Sequence, residues 1–182
     1  TCDGFGGESA AGDEAVACGY TASANANHTT AVGEAANASG TNSTAIGWFA
    51  RASGAYGTTV GGYSVASGTN SSAFGYKASA TGQNSVATGY RANAKSMGSV
   101  AIGKDAYASV KYTTALGGQA LATGNHATAL GYFSHATGNY GTALGGASVA
   151  SGANSSALGF AATASGANGT SIGEGSYASA GN

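Results

Sequence analysis

The sequence has 182 residues, of which 33 are glycine and none proline, with only 7% charged residues and a formal net charge of −1. That balance argues against a nucleic-acid surface built on positive charge, and no apolar stretch approaches the roughly 18 residues that a membrane helix needs. Glycine and serine richness would fit a disordered linker, but such linkers carry no fixed apolar column and this chain does.

The chain opens at Thr1 without a starting methionine, so it reads as a piece of something longer, and the missing leader says nothing about compartment. Residues 1–14 keep Ala10 and Gly12 of the pattern that follows but break it at Asp3-Gly4-Phe5-Gly6-Gly7, which predicts an N-terminal cap on a stacked array. Cys2 and Cys18 are the only cysteines. Residue 4 stacks beside Cys18 in a 14-residue coil, so Cys2 comes within disulfide reach; the bridge would contribute roughly 3 kcal/mol and imply an oxidising compartment. The alternative is a free Cys18 packed as a small apolar residue.

Residues 15–182 repeat one 14-residue phrase, seen plainly at residues 70–83. Glycine recurs at this spacing from Gly19 to Gly173 and alanine from Ala10 to Ala178, with no insertion over twelve copies. This predicts an all-β solenoid of about twelve parallel coils. Within a copy the period drops to two, over Ser71-Ser72-Ala73-Phe74-Gly75 and again over Ala78-Ser79-Ala80-Thr81-Gly82. Two short strands follow, joined by turns at Tyr76-Lys77 and Gln83-Asn84, and the glycine load excludes helix.

Connections of about two residues cannot hold two sheets at the usual ~10 Å, so the gap between them should be narrow and lined by Ala73, Gly75, Ala78, Ala80, Gly82 and their counterparts. Parity then turns the Phe74 column outward: Ile46, Val60, Phe74, Ile102, Leu116, Leu130, Leu144, Leu158 and Ile172 among others. At ~4.8 Å per coil these form a stripe about 50 Å long, more than a soluble monomer leaves bare, and three copies around a shared apolar axis would cover it. The opposite parity, with Phe74 inside and Ala73 outside, is the alternative. Columns 79 and 81, with Arg51, Asn93, Tyr107, His135 and Tyr177, should face water. Between Lys95 and Tyr112, Ser96 and Val110 replace the second glycine without disturbing the count, so this is substitution at a turn and not a boundary. The pattern then runs clean to Gly181-Asn182 with no closing cap, and more chain is expected to follow.

Candidate chemistry is sparse. His28, His126 and His135 read as turn or surface histidines, and the scattered carboxylates make no acid/base pair, so neither an enzyme, a metal site nor a cofactor is expected. A threonine ladder from Thr30 through Thr44, Thr58, Thr114, Thr128, Thr142 and Thr170 raises ice binding, but it shares a strand face with Ile46 and Leu116. Residues 51–111 hold all six basic residues against Asp105 alone. There Tyr76-Lys77 and Tyr90-Arg91 occupy the same turn in adjacent coils, with Lys104 one coil on, an arrangement suited to an anionic partner such as a sulfated glycan or an acidic matrix segment. A solvated turn whose long side chains only solubilise the roll is the alternative.

The phrases Asn84-Ser85-Val86-Ala87-Thr88-Gly89, Gly98-Ser99-Val100-Ala101-Ile102-Gly103 and Asn42-Ser43-Thr44-Ala45-Ile46-Gly47, each followed by a small-x-Ala-x-small run, resemble the head repeats of trimeric autotransporter adhesins, the YadA-type head. The resemblance implies a left-handed parallel β-roll in a homotrimer. It also implies a bacterial cell-surface location, with anchoring in the outer membrane through a stalk and anchor absent from this chain, and adhesion in virulence to host cells or extracellular matrix. Handedness rests on the resemblance alone, since parallel crossovers are otherwise right-handed. The cysteine pair is a departure from such heads. A passive spacer that holds another binding domain away from the membrane is the alternative function.

Overall fold

Each coil turns two corners, and a glycine opens most of them. In the coil of Phe74, Ala78 N–H donates to Gly75 O at 3.1 Å and Ser85 N–H to Gly82 O at 3.2 Å, closing a four-residue turn at each corner. The third residue of each turn, Lys77 (φ 57°) or Asn84 (φ 55°), is left-handed, as in a type II turn. The computed structural model describes residues 8–179. Among them every strand is short and parallel, there is no helix, and the chain forms a β-solenoid of about twelve 14-residue turns.

The chain divides into two units, residues 1–91 and 92–182. In the first, three-residue strands from Val16–Cys18 to Val86–Thr88 form one sheet and two-residue strands from Ser9–Ala10 to Ser79–Ala80 form the other. The 14-residue register is unbroken, as in Thr58↔Ser72, Thr59↔Ala73 and Val60↔Phe74. In the second unit, three-residue strands run from Val100–Ile102 to Thr170–Ile172 and two-residue strands from Asn93–Ala94 to Tyr177–Ala178, in the same register, as in Ala115↔Ala129. Residues 8–14 of the expected cap already hold the strand Ser9–Ala10, paired with Ser23–Ala24. The irregular stretch 95–112 continues the same alternation of long and short strands.

The gap between the sheets is as narrow as the short turns require. Ala73, Ala78 and Ala80, with most of their counterparts away from the ends, are fully buried, and Phe74 is 39% exposed, which fixes the outward parity of its column. Where a larger residue enters the core, neighbours adjust. Thr59 stands where most coils carry alanine, Gly57 stands two residues before it, and the Thr59 hydroxyl donates across the gap to Ser64 Oγ at 2.6 Å. Ser64 in turn donates to Gly61 O at 2.6 Å, so no hydroxyl of the pair is left unsatisfied.

Three features depart from the sequence reading. The Gly75 column lies at the corner, half-buried and not in the core: its φ values of 126–139° at Gly61 to Gly159 suit only glycine. The core column that was not foreseen is Ser71 with Ser43, Ser85, Ser99 and Thr113, all fully buried, one residue before each long strand. Two of these hydroxyls donate back to the carbonyl three residues earlier, Ser99 to Ser96 O at 2.6 Å and Thr113 to Val110 O at 2.7 Å, Ser43 donates to Ala52 O at 3.2 Å, and Ser71 and Ser85 have no side-chain hydrogen bond. Finally, every seventh residue from Glu14 to Gly175 is left-handed, and only Gly98 and Gly175 among these are glycine. A backbone bond to the coil before fixes most such corners: Tyr63 N–H donates to Trp48 O at 2.8 Å and Lys77 N–H to Gly62 O at 2.9 Å.

Candidate functional site

Two surfaces stand out. The first is the outward column of the long-strand sheet. In the first unit Ile46, Val60 and Phe74 are 37–39% exposed and follow one another in register. In the second, Ile102, Leu116, Leu130, Leu144, Leu158 and Ile172 do the same; Leu116, Leu130 and Leu144 are 37–41% exposed and the terminal Ile172 is 70% exposed. The threonine ladder lies two residues before these side chains on the same strands, half-buried beside them.

The second surface is the corner that follows the long strands in the first unit. Tyr76 and Tyr90 stack there with ring centroids 5.7 Å apart and planes 16° from parallel. Lys77 Nζ lies 5.2 Å from the Tyr76 centroid and 5.8 Å from that of Tyr63. Arg91 occupies the next turn, its N–H donating to Tyr76 O at 2.9 Å. Four of the five residues singled out for binding, Tyr76, Lys77, Tyr90 and Arg91, thus share one corner. Lys104 belongs to the second unit, in the turn whose Lys104 carbonyl accepts from Gln119 N–H at 2.8 Å.

The corner is larger than the sequence reading made it. Tyr63 packs edge-on to Tyr76 at 6.0 Å and stacks on Phe49 at 5.4 Å, while Trp48 sets its edge against Tyr63 at 4.8 Å and Phe49 at 5.4 Å. Trp48, Phe49 and Tyr63 are findable from sequence, since each stands one or two coils before Tyr76 or Lys77 in the same column. The Tyr76 ring lies over Gly62, where a Cβ would meet it at 3.4 Å, an ordinary contact distance. All five rings are 38–47% exposed.

The histidines sit apart from any catalytic set. His28 Nε2 lies 3.5 Å from Glu14 on the surface, His126 stacks between Tyr112 and Tyr140 at 5.1 and 5.0 Å, and His135 packs near Phe133. No group of three metal-ligating side chains occurs among the described residues. Of the expected cysteine bridge, Cys2 falls outside the described residues and Cys18 ends the strand Val16–Cys18.

The family model described as YadA head domain repeat (2 copies) matches in overlapping windows, beginning 10–36, 26–50 and 38–64 and ending with 136–162 and 150–176, so that together they span 10–176. The chain belongs to the YadA head family. Comparison with individual curated proteins finds no match. As a YadA head the chain is an adhesin-type module, non-enzymatic in kind, from a family of trimeric cell-surface autotransporters.

Proposed function

We propose that this head is the attachment surface of a bacterial adhesin, in which three copies pack through Ile46, Val60, Phe74, Ile102, Leu116, Leu130, Leu144, Leu158 and Ile172 and present their corners to host cells or matrix. In the full-length protein a stalk and outer-membrane anchor would hold it at the cell surface. The observation that carries the reading is the outward apolar column, kept in register through each unit of a YadA head chain. A surface of that length is unstable in water unless covered, and a roll with a shared axis covers it with no further sequence. Each corner then appears three times per head, so a weak site gains avidity when many heads meet a surface. Residues Tyr76, Lys77, Tyr90 and Arg91 are the binding residues of this reading. The Cys2–Cys18 bridge, if formed, would secure the first coil.

The test is twofold. Sedimentation of the purified chain should give a mass near three times 17.1 kDa, and beads coated with it should adhere to host cells or immobilised matrix. A trimer that adheres to nothing would make the head a spacer. A stable monomer that shapes ice crystals would move the function to the threonine ladder.

A further inference from the structure

The aromatic corner of the first unit has a counterpart in the second with one ring missing. Trp48-Phe49, Gly62-Tyr63 and Tyr76 correspond, coil by coil, to Tyr132-Phe133, Gly146-Ala147 and Phe160. The backbones agree: Tyr63 N–H donates to Trp48 O at 2.8 Å and Ala147 N–H to Tyr132 O at 2.8 Å, with φ of 56° and 54°. The rings agree as well. Tyr132 meets Phe133 edge-to-face at 5.2 Å, as Trp48 meets Phe49 at 5.4 Å. Phe160 reaches back over Gly146 to within 3.3 Å of where a Cβ would stand, as Tyr76 does over Gly62 at 3.4 Å.

What differs is the ring between. In the first unit Tyr63 fills the space, stacked on Phe49 at 5.4 Å and edge-to-face with Trp48 and Tyr76 at 4.8 and 6.0 Å. In the second, Ala147 stops at a methyl group, and Tyr132 and Phe160 stand 65% and 63% exposed on either side of it, two coils or ~9.6 Å apart along the roll. We propose that this slot over Ala147 receives an aromatic side chain, tyrosine or phenylalanine, from an uncharged segment of a partner protein. The inference rests on the adhesive reading above and names the chemistry of the partner.

Three observations choose this occupant. The chain itself shows the fit, since Tyr63 seats a phenol ring on the same backbone with one stacked and two edge contacts. Residues 112–173 contain no Asp, Glu, Lys or Arg, so a charged segment would give up hydration there and find no counter-charge, whereas a neutral one matches its surroundings. A sugar fares no better, because the slot is lined by Tyr132, Phe133, Gly146, Ala147 and Phe160, and of these side chains Tyr132 alone carries a hydrogen-bonding group. The walls also stand before binding: Ala147 and Ala161 N–H hold the two corners to Tyr132 O and Gly146 O at 2.8 and 2.9 Å, so little order has to be imposed when a ring enters.

The full chain is titrated with acetyl-Gly-Tyr-Gly-amide, with the leucine peptide of the same form and with methyl β-glucoside, each followed by ligand-observed NMR. The tyrosine peptide should bind at one site per chain, about tenfold tighter than the leucine peptide. Ala147→Tyr places a ring of the chain's own in the slot, on a backbone that carries Tyr63 in the first unit, and should abolish binding with the assembled mass unchanged. Tyr63→Ala copies the open slot into the first unit and should add a second tyrosine-peptide site, read by a change in the fluorescence of Trp48, the only tryptophan. Three outcomes overturn the proposal: leucine peptide or glucoside binding as tightly as the tyrosine peptide, binding that survives Ala147→Tyr, or loss of assembly in that variant, which would place the slot between copies. Adhesion to cells or matrix without tyrosine-peptide binding sinks this inference alone; tyrosine-peptide binding without adhesion keeps the slot and removes the reading beneath it.

Discussion

Replacing Gly138 by alanine tests the packing of coil on coil. An added Cβ would lie 2.0 Å from Gly152 O, backbone of the next coil, against the 3.4 Å of ordinary contact. The two coils would have to part there by more than an ångström before that contact became ordinary. Two bonds cross at that point, from Thr137 N–H at 2.9 Å and Gly138 N–H at 3.1 Å, both to Ala150 O, and the displacement takes both beyond bonding range. At ~1 kcal/mol each, plus residual strain of similar size, the loss is about 3 kcal/mol. The more restricted unfolded chain returns about 0.7 kcal/mol, leaving a net cost near ~2 kcal/mol.

Ser96 shows how the fold tolerates a side chain in this column. Its N–H turns to Ser99 Oγ at 3.2 Å, while Lys95 N–H keeps its bond to Ala108 O at 2.9 Å. The coil of Gly138 has Gly141 where Ser99 stands, so the displaced N–H has no hydroxyl to meet. The double variant Gly138→Ala, Gly141→Ser offers that hydroxyl but adds a Cβ 2.9 Å from Gly138 O and 3.1 Å from Ala150 O, so it should be no more stable than the single variant. Urea unfolding followed by far-ultraviolet circular dichroism, at one fixed protein concentration so that assembly does not confound the midpoint, reads both values. A Gly138→Ala midpoint within error of the parent would refute the close approach of the coils. A double variant more stable than the single would refute the tight packing at Gly141.

The reverse exchange should have the reverse sign. Ala161 is left-handed at φ 56°, so Ala161→Gly should stabilise the chain by about 0.5 kcal/mol in the same unfolding assay. Ser64→Ala leaves the buried Thr59 hydroxyl without the acceptor it meets at 2.6 Å and should cost about 1–2 kcal/mol; Ser64→Ala with Thr59→Ala should return close to the parent. Leu130→Asp puts a charge in the middle of the outward column of the second unit. Sedimentation at micromolar concentration should then show dissociation toward the 17.1 kDa chain, while circular dichroism still shows strand.

The coil length, both turn positions and the outward set of the Phe74 column were legible because they depend on counting alone. A strict period places each residue over its predecessor, and alternation by two then assigns faces once the small residues are put inside. Serine hid the remaining core column. Ser99 and Thr113 read as polar, but a hydroxyl next to a turn can bond its own backbone, as these two do, while Ser71, Ser85 and Ser155 are buried with no side-chain hydrogen bond at all. The left-handed heptad was hidden for a different reason. Glycine is the usual marker of that conformation, but here coil-to-coil bonds such as Lys77 N–H to Gly62 O impose it on Tyr, Lys, Phe and Ala alike. A weaker signal was present: Asn42, Asn70, Asn84, Asp105, Asn154 and Asn168, the residue types that tolerate it best, fall on that seven-residue spacing. The aromatic corner was legible only in part, since Trp48, Phe49 and Tyr63 join Tyr76 through a ring network that column reading brings near but does not connect.

If the proposed assembly holds, the unequal strands separate it from recognition. A three-residue strand such as Thr128–Leu130 turns two side chains outward, Thr128 and Leu130, and over most coils these columns stay small and polar beside large and apolar. A two-residue strand such as His135–Ala136 turns only one outward, and that column runs through Val65, Ser79, Tyr107, Leu121 and His135 without rule. Uniformity on one sheet suits a surface that must fit an identical copy along its length, where a single charge would disrupt every copy at once. Irregularity is confined to the other sheet and the corners, whose side chains take no part in the alanine core. A coil can therefore exchange Tyr76-Lys77 for Gly146-Ala147 with the corner closed by the same backbone bonds, 2.9 Å from Lys77 to Gly62 O and 2.8 Å from Ala147 to Tyr132 O. Binding specificity can thus change one coil at a time at little cost in stability, because each coil's folding depends on its neighbours' backbone and not on the side chains it displays.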